Sequence, residues 1–222
     1  MSAAESPISS TPEAPLDCPL CPRLVAYRHD NKTTHPDWFN APVPSFGRDD
    51  ARLLIVGLAP GVQGANRTGR PFTGDYAGDL LYATLLEFGF ARGVYDARPD
   101  DGLELVHTMI TNAVRCVPPQ NKPTPAEAKT CLRFLAARIE ALPDTRAILA
   151  LGRIAHDAVL AARQVKRSAA LFGHGAQHDL GGGLRLFDSY HCSRYNTNTR
   201  RLTPDMFRDV FGEIRRYLGP AA

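Results

Sequence analysis

Residues 52–75 read RLLIVGLAPGVQGANRTGRPFTGD. The stretch opens on an apolar run ending at Val56, of the kind that fills a strand buried on both faces of a sheet. The next nineteen residues, 57–75, hold five glycines, two prolines, two arginines, one asparagine, one aromatic ring and a terminal acid. An ordinary strand-to-helix connection takes about 2–6 residues. A loop this long and this polar is expected to bind a ligand or to do chemistry.

Outward from this strand, three more apolar runs read as buried parallel strands, giving 52–57, 107–113, 146–152 and 184–190. Amphipathic helical patterns separate them at 79–88, 125–141, 153–163 and 203–218, and a first helix is expected from 22 to about 28. The 125–141 pattern has Thr124 as N-cap, Pro125 at the first helical position and Glu127 where a capping box needs it. Thr203-Pro204 opens the last helix and Gly219-Pro220 closes it. Alternating strands and helices predict an α/β sandwich with a mainly parallel sheet.

Ligands of such sheets bind at the carboxyl ends of the strands. The first strand end carries the quoted loop. The second carries Thr111-Asn112, then Arg115-Cys116 and VPPQNKP. The third leads into Gly152-Arg153, and the fourth into His191-Cys192-Ser193-Arg194-Tyr195-Asn196. Three of the four ends carry unusual polar chemistry, which points to one active site.

The 222 residues suffice for one well-buried domain, and no repeat or internal linker divides them. A single domain over 16–222 is expected, preceded by a small, polar, proline-rich lead-in, 1–15, read as disordered. No apolar run approaches the roughly 18 residues of a membrane span, and the N-terminus lacks the pattern of a signal peptide. Five cysteines, an odd count, argue against a disulfide framework and for a reducing, cytoplasmic setting. The net charge is only +3, but six arginines (194, 200, 201, 208, 215 and 216) crowd the last 30 residues. That suits an anionic polymer, and equally a solvated helix face. Nothing signals an oligomer, so a monomer is expected.

Cys18-Pro-Leu-Cys21 places two thiols to grip one metal site, and Cys116 and Cys131 would complete a four-thiolate set. Such a set suits tetrahedral zinc or an iron–sulfur cluster, and the spacing leaves the metal open. Buried thiols at 116 and 131 are the alternative. Cys192 lies at a strand end and is not counted as a ligand.

With the loop, strand ends and thiols together, the chain resembles the uracil-DNA glycosylase superfamily, most closely its iron–sulfur type 5 branch. The carrying segments are LDCPLC (16–21), GLAPGVQGANRTGRPFTGD (57–75), TNAVRCVPPQNKP (111–123) with Cys131, and YHCSRYNTNTRRLTP (190–204). They run in order over nearly the whole chain. Three positions depart from the family pattern. Leu58 stands where the type 4 branch has an acid, Gln63 where close relatives often have His, and Cys192 where the superfamily commonly has Pro in His-Pro-Ser.

The resemblance implies a three-layer α/β/α sandwich around a four-stranded parallel sheet. It implies a [4Fe-4S] cluster on Cys18, Cys21, Cys116 and Cys131, and removal of uracil, with other deaminated bases such as hypoxanthine or xanthine, from DNA. No nucleotide cofactor is expected, since the loop lacks G-x-G-x-x-G spacing. A non-catalytic iron–sulfur protein that binds damaged DNA is the alternative from another class.

On this reading His191 donates to the uracil oxygen that gains charge, and Asn112 reads the base edge. Phe72 stacks on the flipped ring. Asp75 stabilises the cationic sugar or orients water, unless it only caps the following helix. Gly57, Ala59 and Gly61 let the backbone approach base and sugar. Arg67, Arg194 and Asn196 contact phosphates, and Tyr195 wedges into the base stack.

Overall fold

The structure is a computed structural model, and it describes residues 12–219. Strands β1 (Phe46–Gly47), β2 (Leu53–Gly57), β5 (Thr108–Asn112), β6 (Ala147–Leu151), β7 (Gln177–Asp179) and β8 (Arg185–Ser189) form one sheet in the order β1-β5-β2-β6-β8-β7. The central four are parallel, as the apolar runs predict. The two edges, β1 and β7, run antiparallel and extend the expected four strands to six. Both are short, and β7 is entirely polar, so neither leaves a periodic apolar signal. A separate hairpin pairs β3 (Ala91–Arg92) with β4 (Glu104–Leu105).

Period-two alternation along β2 divides the core. Leu53 and Ile55 point to one face, where they meet Leu81 and Leu85 of α3 (Tyr76–Glu87) and Phe207, Phe211 and Ile214 of α7 (Pro204–Leu218). Leu54 and Val56 point to the other, against Leu135 and Ile139 of α4 (Pro125–Glu140) and Val159 and Leu160 of α5 (Arg153–Ala162). Three layers result. All five residues of β2, β5 and β6 are buried, which is why β2 and β6 read as continuous apolar runs, while β5 buries Thr108, Thr111 and Asn112 as well.

The chain steps from β2 to β5 on one side, then crosses to β6 on the other. The crevice beyond the carboxyl ends of these strands is the ligand position of an open α/β sheet. In the register of the parallel pair, Gly57 lies beside Asn112.

Two helices lie in loops that carry no apolar period, α2 (Ala65–Thr68) and α6 (Arg194–Asn198). Helix α1 (Pro22–Thr34) is longer than expected, because its polar second half is held by hydrogen bonds rather than by an apolar stripe. Asn31 Nδ2 donates to Tyr27 O at 2.7 Å, and the Thr33 and Thr34 hydroxyls donate back to His29 O and Asp30 O.

The expected lead-in is described only at its end. Residues 1–11 lie outside the described residues, but Glu13 binds the buried Arg115 at 2.9 Å and also pairs with Arg138. Burial alone would raise the Glu13 carboxyl; Arg115, Ser45 and Arg138 outweigh it and hold the group below its usual value. No helix among the described residues is long and apolar enough to cross a membrane.

Candidate active site

A cleft of about 900 Å³ opens beyond the strand ends. The loop after β2 forms its floor. Arg70 holds that loop in place: its guanidinium pairs with both Asp101 oxygens at 2.7 and 2.8 Å, and its Nε donates to Thr73 Oγ1 at 2.7 Å. Each contact is buried on the arginine side, and the cation also lies over the Phe46 and Tyr82 rings. Two residues on, Phe72 adopts φ +53°, a left-handed conformation rare for an aromatic residue. Strain of this kind persists only where surroundings over-determine it, and it clusters at functional sites.

Phe72 lies in the apolar core and lines the cleft at once, 7% exposed. Its ring stacks on His191, with centroids 5.8 Å apart and planes at 28°. Beside them, Asn112 Oδ1 is buried with no hydrogen-bond partner in the protein. Such an orphan acceptor is costly unless a ligand satisfies it. Gly57 makes the arrangement possible, since a Cβ there would stand 2.4 Å from Asn112 Oδ1 and 2.6 Å from Phe72 Cζ.

His191 follows β8 and faces the cleft. Burial without a charged partner pushes its imidazole down to about 4, so the ring is neutral at pH 7. Asn196 Nδ2 donates to the His191 carbonyl at 2.8 Å and fixes the turn that carries the ring. Ser193 caps α6, accepting from Asn196 N. The Cys192 thiol is fully buried and donates to Ala77 O, joining the turn to the start of α3.

Asp75 both caps α3 and faces the cleft. Its Oδ1 accepts from Gly78 N at 3.2 Å, while Oδ2 lies 2.9 and 2.3 Å from where Cβ atoms on Gly61 and Gly64 would stand. Burial raises its carboxyl above the ordinary value, and the bonds from Gly78 and Ala77 oppose that. It is the only acid among the lining residues.

The remaining sequence candidates separate. Ala59, Gly61, Arg194 and Asn196 line the cleft; Arg67 and Tyr195 are outside its lining. Arg67 leans on Gly74 O at 3.5 Å, and Tyr195 is 72% exposed on α6. The C-terminal arginines divide too. Arg194 and Arg201 reach the cleft, whereas Arg208 and Arg216 pair with Glu87 and Glu213, and Arg215 donates to Phe88 O. Sequence reading missed Tyr76, Arg153, Phe172, Tyr190 and Arg201 as lining residues. Arg153 and Tyr190 flank strand ends and were within reach. Phe172 sits far from any strand end, in a segment fastened by His156 Nε2 to Ala170 O and, at 3.5 Å, by Gly173 N to Asp188 Oδ2. Asp188 Oδ1 in turn holds His156 Nδ1 at 2.8 Å.

Away from the cleft, Cys18, Cys21, Cys116 and Cys131 converge on one small apolar cavity with Leu24, Val114 and Phe134. All are free thiols. Four convergent thiols are a donor set that an iron–sulfur cluster or a tetrahedral zinc ion takes. Arg115 N donates to Cys131 Sγ at 3.3 Å, the kind of backbone bond that stabilises a cluster thiolate. Arg28 fixes the Cys18 turn through Leu16 O and Cys18 O, and Arg23 clamps Glu127 of α4 through both carboxylate oxygens.

Comparison with known proteins agrees with this geometry. The family model described as "Uracil DNA glycosylase superfamily" matches residues 44–215. A type-5 uracil-DNA glycosylase of Thermus thermophilus is 48% identical over 208 residues, 91% of this chain and 94% of its own. The Mycobacterium tuberculosis type-5 protein is 43% identical over 211 residues, 91% of this chain and 78% of its own. A type-4 protein of Thermotoga maritima is 36% identical over 150 residues, 66% and 67% of the two chains. The chain belongs to the uracil-DNA glycosylase superfamily, in its type-5 branch.

Proposed function

We propose that this protein excises uracil from DNA by hydrolysing the N-glycosidic bond and leaves an abasic site, acting as a monomer on the chromosome in the cytoplasm. The observation that carries the reading is the buried, unpartnered Asn112 Oδ1 beside the Phe72 ring and the neutral His191 imidazole.

Base selection follows from that arrangement. Phe72 offers a ring face for the flipped base, and stacking is worth about 1–3 kcal/mol per base. Asn112 Oδ1 accepts from the N–H of a lactam edge, and its Nδ2 donates to the adjacent oxygen. Cytosine presents the reverse pattern and is rejected. Hypoxanthine and xanthine share the lactam edge, and a cleft of about 900 Å³ has room for a purine.

As the bond to the sugar breaks, charge grows on the base oxygens and positive charge on the sugar. His191, neutral and preorganised, donates to the departing oxygen without giving up a proton. Asp75, the one acid in the cleft, faces the sugar and stabilises its cationic character or orients water. Arg194 contacts phosphate, Tyr195 stands exposed to enter the base stack, and Arg67 serves as a peripheral phosphate contact. Asn196 acts through His191, whose turn it fixes.

A [4Fe-4S] cluster on Cys18, Cys21, Cys116 and Cys131 fits the donor set. When bound, it supplies a cross-link between the N-terminal segment, the loop after β5 and α4, and no step of the hydrolysis runs through it. No observation favours a non-catalytic damage-binding protein.

The test is a labelled duplex with one uracil opposite guanine, incubated in EDTA and then treated with alkali. A break at uracil that needs alkali supports the reading. No break from protein with its cluster absorbance intact, on uracil or hypoxanthine duplexes alike, overturns it.

A further inference from the structure

Three arginines at the cleft rim share one setting. Arg153 lies over the Phe172 ring with its guanidinium carbon 5.3 Å from the centroid. Arg194 lies over Tyr76 at 5.4 Å, and Arg201 over Tyr190 at 4.6 Å. All six side chains line the cleft. The arginines come from three separate segments, at the start of α5, on α6 and in the turn after it.

None of the three has a carboxylate partner among the described residues. Arg23, Arg70, Arg115 and Arg138 show the contrast, each pairing with an acid at 3.1 Å or less. The rim arginines are exposed, so their charge faces outward. Among the described residues Asp75 is the only acid lining the cleft against these three cations, although the whole chain is nearly balanced at 26 basic and 23 acidic residues.

A ring beneath a guanidinium fixes its position and leaves the edge donors free, whereas a carboxylate would occupy them. Free, planar donors held in place match the bidentate geometry of phosphate oxygens. We propose that Arg153, Arg194 and Arg201, seated on Phe172, Tyr76 and Tyr190, are a preorganised three-point clamp for successive backbone phosphates of the strand whose nucleotide enters the cleft. The clamp rests on the DNA-glycosylase reading of the same cleft and adds Arg153 and Arg201, with their three aromatic seats, to it.

Charge count and preorganisation have separable signatures. Each phosphate neutralised adds about 0.9 to the slope of log affinity against log salt on duplex DNA. Removing a seat keeps the charge and therefore the slope, but the guanidinium must then be immobilised on binding, so affinity falls at every salt concentration.

The experiment measures binding of the cluster-loaded protein to a labelled duplex carrying one tetrahydrofuran abasic site, by anisotropy, from 50 to 200 mM KCl (about the range over which phosphate contacts dominate affinity). Arg153→Gln, Arg194→Gln and Arg201→Gln are each expected to reduce the slope by about 0.9. Phe172→Leu is expected to weaken binding roughly fivefold with the slope unchanged. Arg92→Gln, an exposed arginine paired with Glu104 outside the cleft lining, is expected to change neither. Wild-type slopes in Arg153→Gln and Arg201→Gln overturn the clamp. If the wild type excises uracil while those slopes stay unchanged, only the clamp fails. If the wild type binds no DNA, the clamp and the glycosylase reading fail together.

Discussion

Gly57 and Asn112 lie side by side on two parallel strands, and the space a Cβ on Gly57 would fill is taken by Asn112 Oδ1, 2.4 Å away. The base-reading atom thus depends on a missing side chain in the neighbouring strand. Gly57→Ala is expected to push both Asn112 and Phe72 out of place, at about 1–3 kcal/mol for overpacking. Thermal unfolding and single-turnover excision check it together. The expected result is a folded protein whose excision falls much further than its stability; a wild-type rate would show that this contact does not set the pocket.

Asp75 holds two roles that Asn separates. Its folded carboxyl titrates above the unfolded value, because burial disfavours the charge. The folded state therefore keeps the proton more tightly, and stability falls as pH rises from the unfolded value through the folded one. Asp75→Asn removes that cost and keeps a good N-cap. At pH 8 it is expected to melt no lower than wild type, with the advantage shrinking toward acid, while excision drops about 10²-fold or more. Excision at the wild-type rate would reduce Asp75 to a helix cap.

His191 is held neutral, with its imidazole pushed down to about 4. The wild-type single-turnover rate is therefore expected to show no inflection near the ordinary histidine value. His191→Ala is expected to lose about 10²–10³ in rate with the cluster spectrum intact. An inflection near 6.5 that vanishes in the variant would show instead a histidine that titrates during turnover.

The cysteine centre joins α1 to α4 and to the loop after β5. Cys116→Ser is expected to lose the visible absorbance and to expose the segment before α1 to protease, with the sheet resistant. Cys192→Ser is expected to keep the absorbance. Loss of absorbance in Cys192→Ser and retention in Cys116→Ser would reassign the ligand set.

Much of this was legible because burial leaves a simple mark. The central parallel strands are covered on both faces; β2 and β6 appear as apolar runs, β5 and β8 carry apolar pairs among polar residues, and the expected bounds of all four fall within a residue of the observed strands. The α4 capping box also appears as read: Thr124 accepts from Glu127 N, and Glu127 accepts from Thr124 N. The edge strands and the second half of α1 were illegible because hydrogen bonds, to a neighbouring strand or within the helix, rather than apolar periodicity, define them. Arg70, to which the sequence assigns no role, is a buried anchor of the loop, and no local pattern shows it because its acid, Asp101, lies 31 residues away in sequence. Phe172 enters the cleft through a fold-level link to Asp188 that no spacing encodes. Polar loop residues announce chemistry; the rings that seat them come from elsewhere in the chain.

The most direct measurement is mass spectrometry of a uracil-containing duplex after a single turnover with the wild-type protein and with Asn112→Ala. The expected result is one equivalent of free uracil and an intact strand bearing an abasic sugar from the wild type, and neither product from the variant. An unaltered uracil strand with the cluster-loaded wild type, or equal release from both proteins, would contradict the assignment of this cleft.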